Sequence, residues 1–549
     1  MNILVTCGGG FQGLTLYKEI SLYPHVKSYL IDIHKENISK YFFDYFSICP
    51  PVNNKNEYLN FIFNYCKEYK INYVFPATNF DLEILSEIKN EFAEQLNCYI
   101  AVPDTKYIMI FRDKLLTHNF LEQNKINVQK LLDPFNENNY PIIGKYKKGW
   151  GGKDIHVFYS IEDFKKFTQS ENYNDYIWVK YLKEFKEYSI DFSINFKFNP
   201  SDIIIRERKS VSGGFAVVTE QIINPPEIVE NIGKDIVDVF IKNKIVGAFN
   251  IQILYVDKNT TYCSDLNPRI GTSAIIHKIG KNGLIGNFIF QDEKTPEKSN
   301  VLNNFNTKAI RYLDETYIKK INHDIKGIVF DLDDTLISNK EFIIERCKLL
   351  YDQQSELFGE YSSYILNVLM LLNEGYAPFL IDKICEIYGI HHKKNEILSI
   401  YRKCFPNKIK FYPDVEPTLE ILKKNNFKLF ILTDNPVNTQ KHKWNIFPFK
   451  DLFDDIIFTN EHNLNKPNHK CFNLISKTHN IKPENLIMVG DNQVRDILGA
   501  IQAGYFCAFQ IHRDDGLISN YPLNNLSIDN SNIFQIKSLK EIPFYLIEN

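Results

Sequence analysis

Two aspartates one residue apart close an apolar run in GIVFDLDDTL: Asp331 and Asp333. On a strand that spacing puts both carboxylates on one face, and at a strand end the turn can aim them at a bound cation. One acid can attack phosphorus while its neighbour moves a proton. The competing reading is an acidic loop that merely caps a helix, since Asp and Thr are common there. Three later segments argue against it. KLFILTDNP ends an apolar run on the hydroxyl of Thr433, NLNKPNHKCF sets Lys466 at the entry to a helix, and LIMVGDNQVRDILGA ends its run on Asp491, with Asp496 shortly after. A nucleophile, a phosphate-binding hydroxyl, a neutralising lysine and metal-binding acids at strand ends are what an open parallel sheet presents to a ligand.

A second set of residues lies in the first 320 positions. YPIIGKYKKGWGGKDIHVF reads as strand, glycine loop, strand, with Lys145 ending the first strand. Backbone N–H groups of a loop containing Gly149, Gly151 and Gly152 can fold over phosphates while Lys145 supplies charge, although hairpin turns also collect Gly and Lys. IWVKYLKEFKEYSIDFSIN is a strand, a connection and an alternating strand, with Glu187 between them. GAFNIQILYVDKNTTYCSDLNPRIGTSAI is a hairpin with Gln252 on one arm and Asp265 and Asn267 on the other. Oxygen ligands on adjacent antiparallel strands suit a Mg²⁺ ion that also touches substrate phosphates. Arg269 follows at once, a fixed fork of donors suited to a phosphate or an acyl-phosphate.

The opening, ILVTCGGGFQGL, spaces Gly8, Gly10 and Gly13 as G-x-G-x-x-G after an apolar run, and SYLIDI then ends on Asp32. That is the pattern of a dinucleotide-binding turn. Only one compact βα layer is available before residue 105, whereas a dinucleotide needs two mononucleotide-binding halves. The turn is therefore read as local geometry, with an acid substrate rather than NAD as its expected occupant.

The elements that must position these residues follow an α/β pattern: strand-like apolar runs alternate with helical ones along most of the chain. At 549 residues the chain exceeds what one hydrophobic core serves. The expected division is a Rossmann-like domain over 1–105, α+β lobes over 106–322, and a Rossmann-like core over 323–549 with a helical cap at about 338–410. The net charge is −3, with Lys and Arg scattered rather than in blocks, which gives no nucleic-acid footprint. The 10 cysteines show no C-x-x-C pair and no Cys/His metal spacing, as expected of buried thiols in a reducing compartment. No signal-peptide pattern and no apolar run of bilayer length occurs, so a cytoplasmic protein without membrane contact is expected.

Residues 325–545 resemble the haloacid dehalogenase superfamily, specifically its phosphatases, with all four motifs in order. The resemblance implies Asp331 as the nucleophile that becomes an aspartyl-phosphate and Asp333 as general acid, then base. It implies Thr433 and Lys466 as holders of the phosphoryl group. Asp331, the backbone carbonyl of Asp333 and Asp491 would ligate Mg²⁺, with Asp496 supporting Lys466 or the metal. DLDDT points to phosphate chemistry because the family's dehalogenases lack the second acid.

Residues 1–320 resemble the ATP-grasp superfamily, particularly carboxylate–amine ligases related to the carbamoyl-phosphate synthetase large subunit. FRDKLLTHNFLEQNKINV fits the helix of the family's first lysine, here Lys114, and Lys145 fits the second. KKGWGGKD fits the mobile glycine loop, Val179, Lys180, Tyr181 and Leu182 the adenine hinge, and Glu187 the ribose contact. Gln252, Asp265 and Asn267 match the metal positions, Arg269 the adjacent arginine, and Arg206 and Arg208 fall where relatives contact the acid substrate or its phosphate. Two positions depart from the family pattern: Asp265 stands where Glu is usual, and Lys180 where Gln or Glu is common.

Together these readings predict a bifunctional enzyme using ATP and Mg²⁺, with Mn²⁺ as the alternative ion. One half would join a small carboxylate to an amine through an acyl-phosphate; the other would hydrolyse a phosphate monoester, with self-association left open. Removing phosphate from the ligase product, as in polysaccharide or small-metabolite biosynthesis, is one link between them. The alternatives are an ATP-dependent small-molecule kinase fused to a phosphatase, and a nucleotide-sensing module that regulates the phosphatase.

Overall fold

Near-continuous apolar runs such as ILV, YLI and YVF are what a parallel sheet buried on both faces requires. They become β1 (Asn2–Thr6), β2 (Lys27–Asp32), β3 (Tyr45–Ile48), β4 (Tyr73–Pro76) and β5 (Tyr99–Ile100). All are parallel, in the order β3-β2-β1-β4-β5. The computed structural model describes residues 1–23, 25–148, 155–212, 215–272, 274, 282–292, 308–310, 320–517 and 532–547. It divides into two compact units, Met1–Glu315 and Thr316–Asn549, and the architecture is α/β in both.

The first unit adds two antiparallel sheets. The smaller is formed by β6 (Ile142–Tyr146), β7 (Ile155–Phe158) and β8 (Tyr176–Lys180), in the order β7-β6-β8. The larger contains β9 (Lys186–Ile194), β10 (Ile204–Ser212), β11 (Phe215–Gln221), β12 (Gly247–Tyr255), β13 (Thr261–Asn267) and β14 (Lys308–Ile310), in the order β13-β12-β9-β10-β11-β14. Its core gathers Ile190, Phe192, Phe240, Phe249 and Ile251, all fully buried.

In the second unit six parallel strands run in the order β17-β16-β15-β18-β19-β20: β15 (Gly327–Phe330), β16 (Lys428–Thr433), β17 (Asp455–Phe458), β18 (Leu486–Gly490), β19 (Cys507–Ile511) and β20 (Ile533–Ile536). The order reverses at β15, so the crevice beyond its C-terminal end is the switch point where ligands bind in such sheets. Between β15 and β16, ahead of the helix Val415–Lys424, stand four helices, Asn339–Phe358, Tyr361–Asn373, Leu380–Ile387 and Lys394–Tyr401. They have a core of their own around Cys347, Leu350, Tyr364, Val368 and Ile384. Ser338 starts the first of them by accepting the Glu341 amide at 3.3 Å.

All 10 cysteines are free thiols, and all but Cys7 are buried. Among the described residues no helix is long and apolar enough to cross a membrane.

Candidate functional site

The glycine turn is a close-packed strand-to-helix junction. A Cβ on Gly13 would stand 1.8 Å from the Gly8 carbonyl oxygen, so the helix Phe11–Ile20 packs on the turn only because Gly13 has no side chain. Asp32, the acid that would hold a ribose, instead accepts the Gly9 amide at 2.8 Å and the His34 amide at 2.9 Å. Its carboxylate fastens the turn.

Around Lys145 the three-stranded sheet sets the register. Lys145 stands opposite Ile177, Val179 opposite Ile143, and Lys180 opposite Ile142. Lys145, Lys114, His118, Gln129, Val179 and Asp265 line one cavity. Burial lowers the Lys145 ammonium below the usual lysine range; Asp265 opposes this shift and Lys114 adds to it. A half-buried cation whose acids, Asp265 and Glu187, do not outweigh its desolvation is suited to phosphate oxygens. The Lys180 ammonium reaches the carbonyls of Asn139 and Tyr140 at 3.1 and 3.0 Å, while its own carbonyl accepts Gln129 Nε2 at 2.9 Å. The Tyr181 amide bonds to the Pro141 carbonyl at 3.1 Å. Leu182 follows in the connection to β9.

A bulge aims the hairpin acids. Gln252 pairs with Asp265 but Ile253 pairs with Cys263, which leaves Ser264 as the extra residue. Cys263 and Leu266 thereby both enter the core, while Asp265 and Asn267 stay half-exposed beside Gln252. Asn267 Nδ2 donates to Asp265 Oδ2 at 3.2 Å. Asp265, Asn267, Arg269 and Lys114 line a cleft of about 620 Å³ together with Gln12, in the first turn of the helix Phe11–Ile20, and Asn79, in the loop after β4. Arg269 is steadied there by Asn79 Oδ1 at 3.2 Å.

Two expectations for this half need correction or lie out of reach. Arg206 does not stand on the cleft wall: it is 1% exposed, and its Nε is held by Asp191 Oδ2 at 2.6 Å, with Asn250 on the other carboxylate oxygen at 2.7 Å. A buried ion pair of this kind anchors β9 to β10. Arg208 pairs with the Glu187 carboxylate through one guanidinium nitrogen. Gly149, Gly151 and Gly152 lie outside the described residues.

In the second unit the sequence-predicted residues converge. Asp331 follows β15, Thr433 ends β16 and Asp491 follows β18. Oxygens of Asp331, Asp491 and Asp496 lie within 4.8 Å of one another. Lys466 donates to Asp331 and Asp496, each at 2.5 Å, and to the Leu432 carbonyl at 3.1 Å. Gly490 makes this possible, because a Cβ there would meet the Asp496 side chain at 2.5 Å. Burial first, then neighbouring acids, push Asp331 up to about 8 and Asp491 well above the carboxylate range; Lys466 pulls both back. Three buried acids with one lysine among them are a donor set that fits a divalent cation. Thr433 Oγ1 is buried and has no hydrogen-bond partner, as a hydroxyl reserved for a phosphoryl oxygen would be.

Asp333 is handled differently. Its carboxylate accepts Asn435 Nδ2 at 2.9 Å, Gln440 Nε2 at 2.7 Å and Lys443 Nζ at 2.5 Å. None of these three donors is among the sequence-predicted residues. The spacing of Gln440 and Lys443 on the helix Val437–Asn445, just after TDNP, puts both on one face and is the signal that could have found them.

Comparison with known proteins finds matches in each unit. Residues 328–509 match the profile of haloacid dehalogenase-like hydrolases, and residues 3–100 that of the PylC-like N-terminal domain. The glyceraldehyde 3-phosphate phosphatase of Methanocaldococcus jannaschii is 29% identical over 214 residues, which is 94% of its length and 37% of this chain. The pyrophosphatase PpaX of Halalkalibacterium halodurans is 28% identical over 183 residues, 81% of its length and 33% of this chain. Among solved structures, the biotin carboxylase domain of the Hydrogenobacter thermophilus 2-oxoglutarate carboxylase is similar at 16% identity with a TM-score of 0.40, over 50% of this chain and 65% of that one. The second unit therefore carries a haloacid dehalogenase-like hydrolase domain.

Proposed function

We propose that the chain is a bifunctional enzyme, an ATP-dependent carboxylate–amine ligase fused to a Mg²⁺-dependent phosphatase of small phosphate monoesters. The observation that carries the phosphatase reading is the joining of Asp331, Lys466, Asp491 and Asp496 at the strand ends, with an unpartnered hydroxyl, Thr433, ending the neighbouring strand β16. Asp331 attacks phosphorus, the bond from phosphorus to the ester oxygen breaks, and the leaving oxygen takes a proton from Asp333. Water then attacks the aspartyl-phosphate, Asp333 accepts its proton, and inorganic phosphate leaves. The three donors on Asp333 fix where its carboxyl group stands for both halves of the reaction. Lys466 and Thr433 would hold the phosphoryl oxygens. Asp331, Asp491 and the Asp333 carbonyl would hold the Mg²⁺, which when bound offsets charge on the transferring group.

In the first unit Lys114 and Lys145 would take the nucleotide phosphates, with the base against Val179–Leu182. Gln252, Asp265 and Asn267 would hold Mg²⁺, and Arg269 would face the acyl-phosphate. The carboxylate attacks the γ-phosphorus, ADP leaves, and the amine then displaces phosphate from the acyl carbon. Support comes from the cleft that gathers Lys114, Asp265, Asn267 and Arg269. The phosphatase would act on a phosphorylated product of the ligase, for example an amide between a sugar acid and a phosphorylated amino alcohol. An ADP-release screen of carboxylates against amines, using D331N, tests this pairing. A phosphorylated amide should accumulate in the variant and be absent with the intact enzyme. Identical unphosphorylated products from both would end the coupling, and ADP release without any amine requirement would favour a kinase.

A further inference from the structure

The loop after β19, His512–Leu517, touches every piece of chain that joins the four-helix segment to the second unit's sheet. The outgoing linker and the returning one lie side by side. The Ser338 amide bonds to the Lys410 carbonyl at 2.9 Å, the Tyr412 amide to the Leu336 carbonyl at 3.1 Å, and Ile337 bridges Phe411 antiparallel. Asp515 reaches across both. Ser338 Oγ donates to its Oδ2 at 2.9 Å, and the Tyr412 hydroxyl donates to its Oδ1 at 2.8 Å.

The rest of the loop reinforces the same junction. The Arg513 guanidinium lies 3.9 Å from the centre of the Tyr412 ring and donates to Asp414 Oδ2 at 2.8 Å and to the Thr335 carbonyl at 2.6 Å. The Leu517 amide donates to Asp334 Oδ2 at 3.1 Å, and Asp334 Oδ1 accepts the Asn339 amide at 2.9 Å. The Leu517 side chain packs on the apolar core of the helical segment. One short loop thus holds the turn that carries Asp331 and Asp333, both linkers, and the edge of the helical segment.

We infer that Asp515 is a positioning residue for the Asp331 site: by bridging Ser338 and Tyr412 it fixes the angle at which the helical segment covers a bound phosphate ester. The inference rests on the phosphatase reading. Asp515 touches no reacting atom. Its effect falls on esters whose leaving group reaches the helices and spares substrates too small to do so. The bridge needs two polar arms rather than a charge, since an amide at this position can accept from Tyr412 and donate to Ser338.

The test uses the full chain with Mg²⁺ and two probes, acetyl phosphate as the small one and p-nitrophenyl phosphate as the larger. D515A should raise KM for p-nitrophenyl phosphate about tenfold, the order expected for two lost hydrogen bonds, and leave kcat for acetyl phosphate within about twofold. D515N should restore the intact enzyme's KM, and Y412F should give a smaller rise. Hydrogen exchange at residues 336–339 and 409–412 should quicken about tenfold in D515A and stay unchanged in D515N. Equal losses on both probes, unchanged KM in D515A, or failure of D515N to restore it would overturn the assignment. If the intact enzyme hydrolyses neither probe, the phosphatase reading falls, and unchanged exchange in D515A would separately refute the bridge.

Discussion

The Lys145 region and the Lys466 region both bring a lysine with little exposed surface to acids, half-buried in the first and buried in the second, yet they are built on opposite terms. Lys466 makes two bonds of 2.5 Å to Asp331 and Asp496 and one to a carbonyl, so its charge is answered within the fold. Those contacts raise its pKa above the usual lysine range against the pull of burial. Lys145 has Asp265 in its field and a second lysine, Lys114, working against it, and burial prevails. The first arrangement is pre-assembled before any ligand arrives; the second is left short of negative charge. A site that must bind and release a polyphosphate each turnover gains from that shortfall, because the ligand supplies the missing charge.

The comparison can be broken from either side. The largest effect is expected from D331N, which removes the nucleophile: phosphate release from p-nitrophenyl phosphate should fall at least about a thousandfold while ADP release by the first unit is unchanged. Loss of both activities would show that the two sites are not separable in this way. Next comes K466M, which strands Asp331 and Asp496 as buried charges. Denaturation without added metal should show the second unit destabilised by about 3–5 kcal/mol, with Mg²⁺ restoring part of the loss.

The pH axis sharpens the contrast, because the first unit holds a buried acid, Glu19, with no cation partner among the described residues. Glu19 accepts the Ile285 and Gly286 amides at 2.7 and 3.0 Å, and burial nonetheless raises it from 4.5 to about 7. A raised carboxyl binds its proton more tightly when folded, so its contribution is present below pH 4.5 and is lost as pH rises through 7. That loss is roughly 3 kcal/mol by the usual conversion, and E19Q should flatten the stability profile of the first unit over this window. The smallest of the four effects is K145M, which should lower ADP release about a hundredfold and leave phosphate release from p-nitrophenyl phosphate untouched. A comparable fall in phosphate release would erase the distinction between the two lysines.

The two regions also differ in how far they could be read from residues alone. Asp331, Thr433 and Asp491 were legible because each closes or directly follows an apolar strand, and parallel strands present their C-terminal ends together. Asp265 and Asn267 were legible as a pair, but the Ser264 bulge that sends them away from Cys263 was not. Simple alternation would have put all three on one face. Arg206 misled for a related reason. Its partner, Asp191, lies on a neighbouring strand, and nothing near Arg206 in the chain announces that its charge is already taken.

What the sequence determined by itself is therefore the set of strand-terminal chemistries and the close-packed turns. Those depend on a few neighbouring residues: an apolar run, an acid at its end, a glycine where a Cβ would strike a carbonyl. Tertiary structure alone decided what each charge faces. It turned Asp32 onto the Gly9 amide, surrounded Asp333 with Asn435, Gln440 and Lys443, and brought Asp515 to Ser338 and Tyr412. Hydrogen bonds and ion pairs act over a few ångströms of space without regard to distance along the chain. Their partners are fixed only when the sheets and helices have packed.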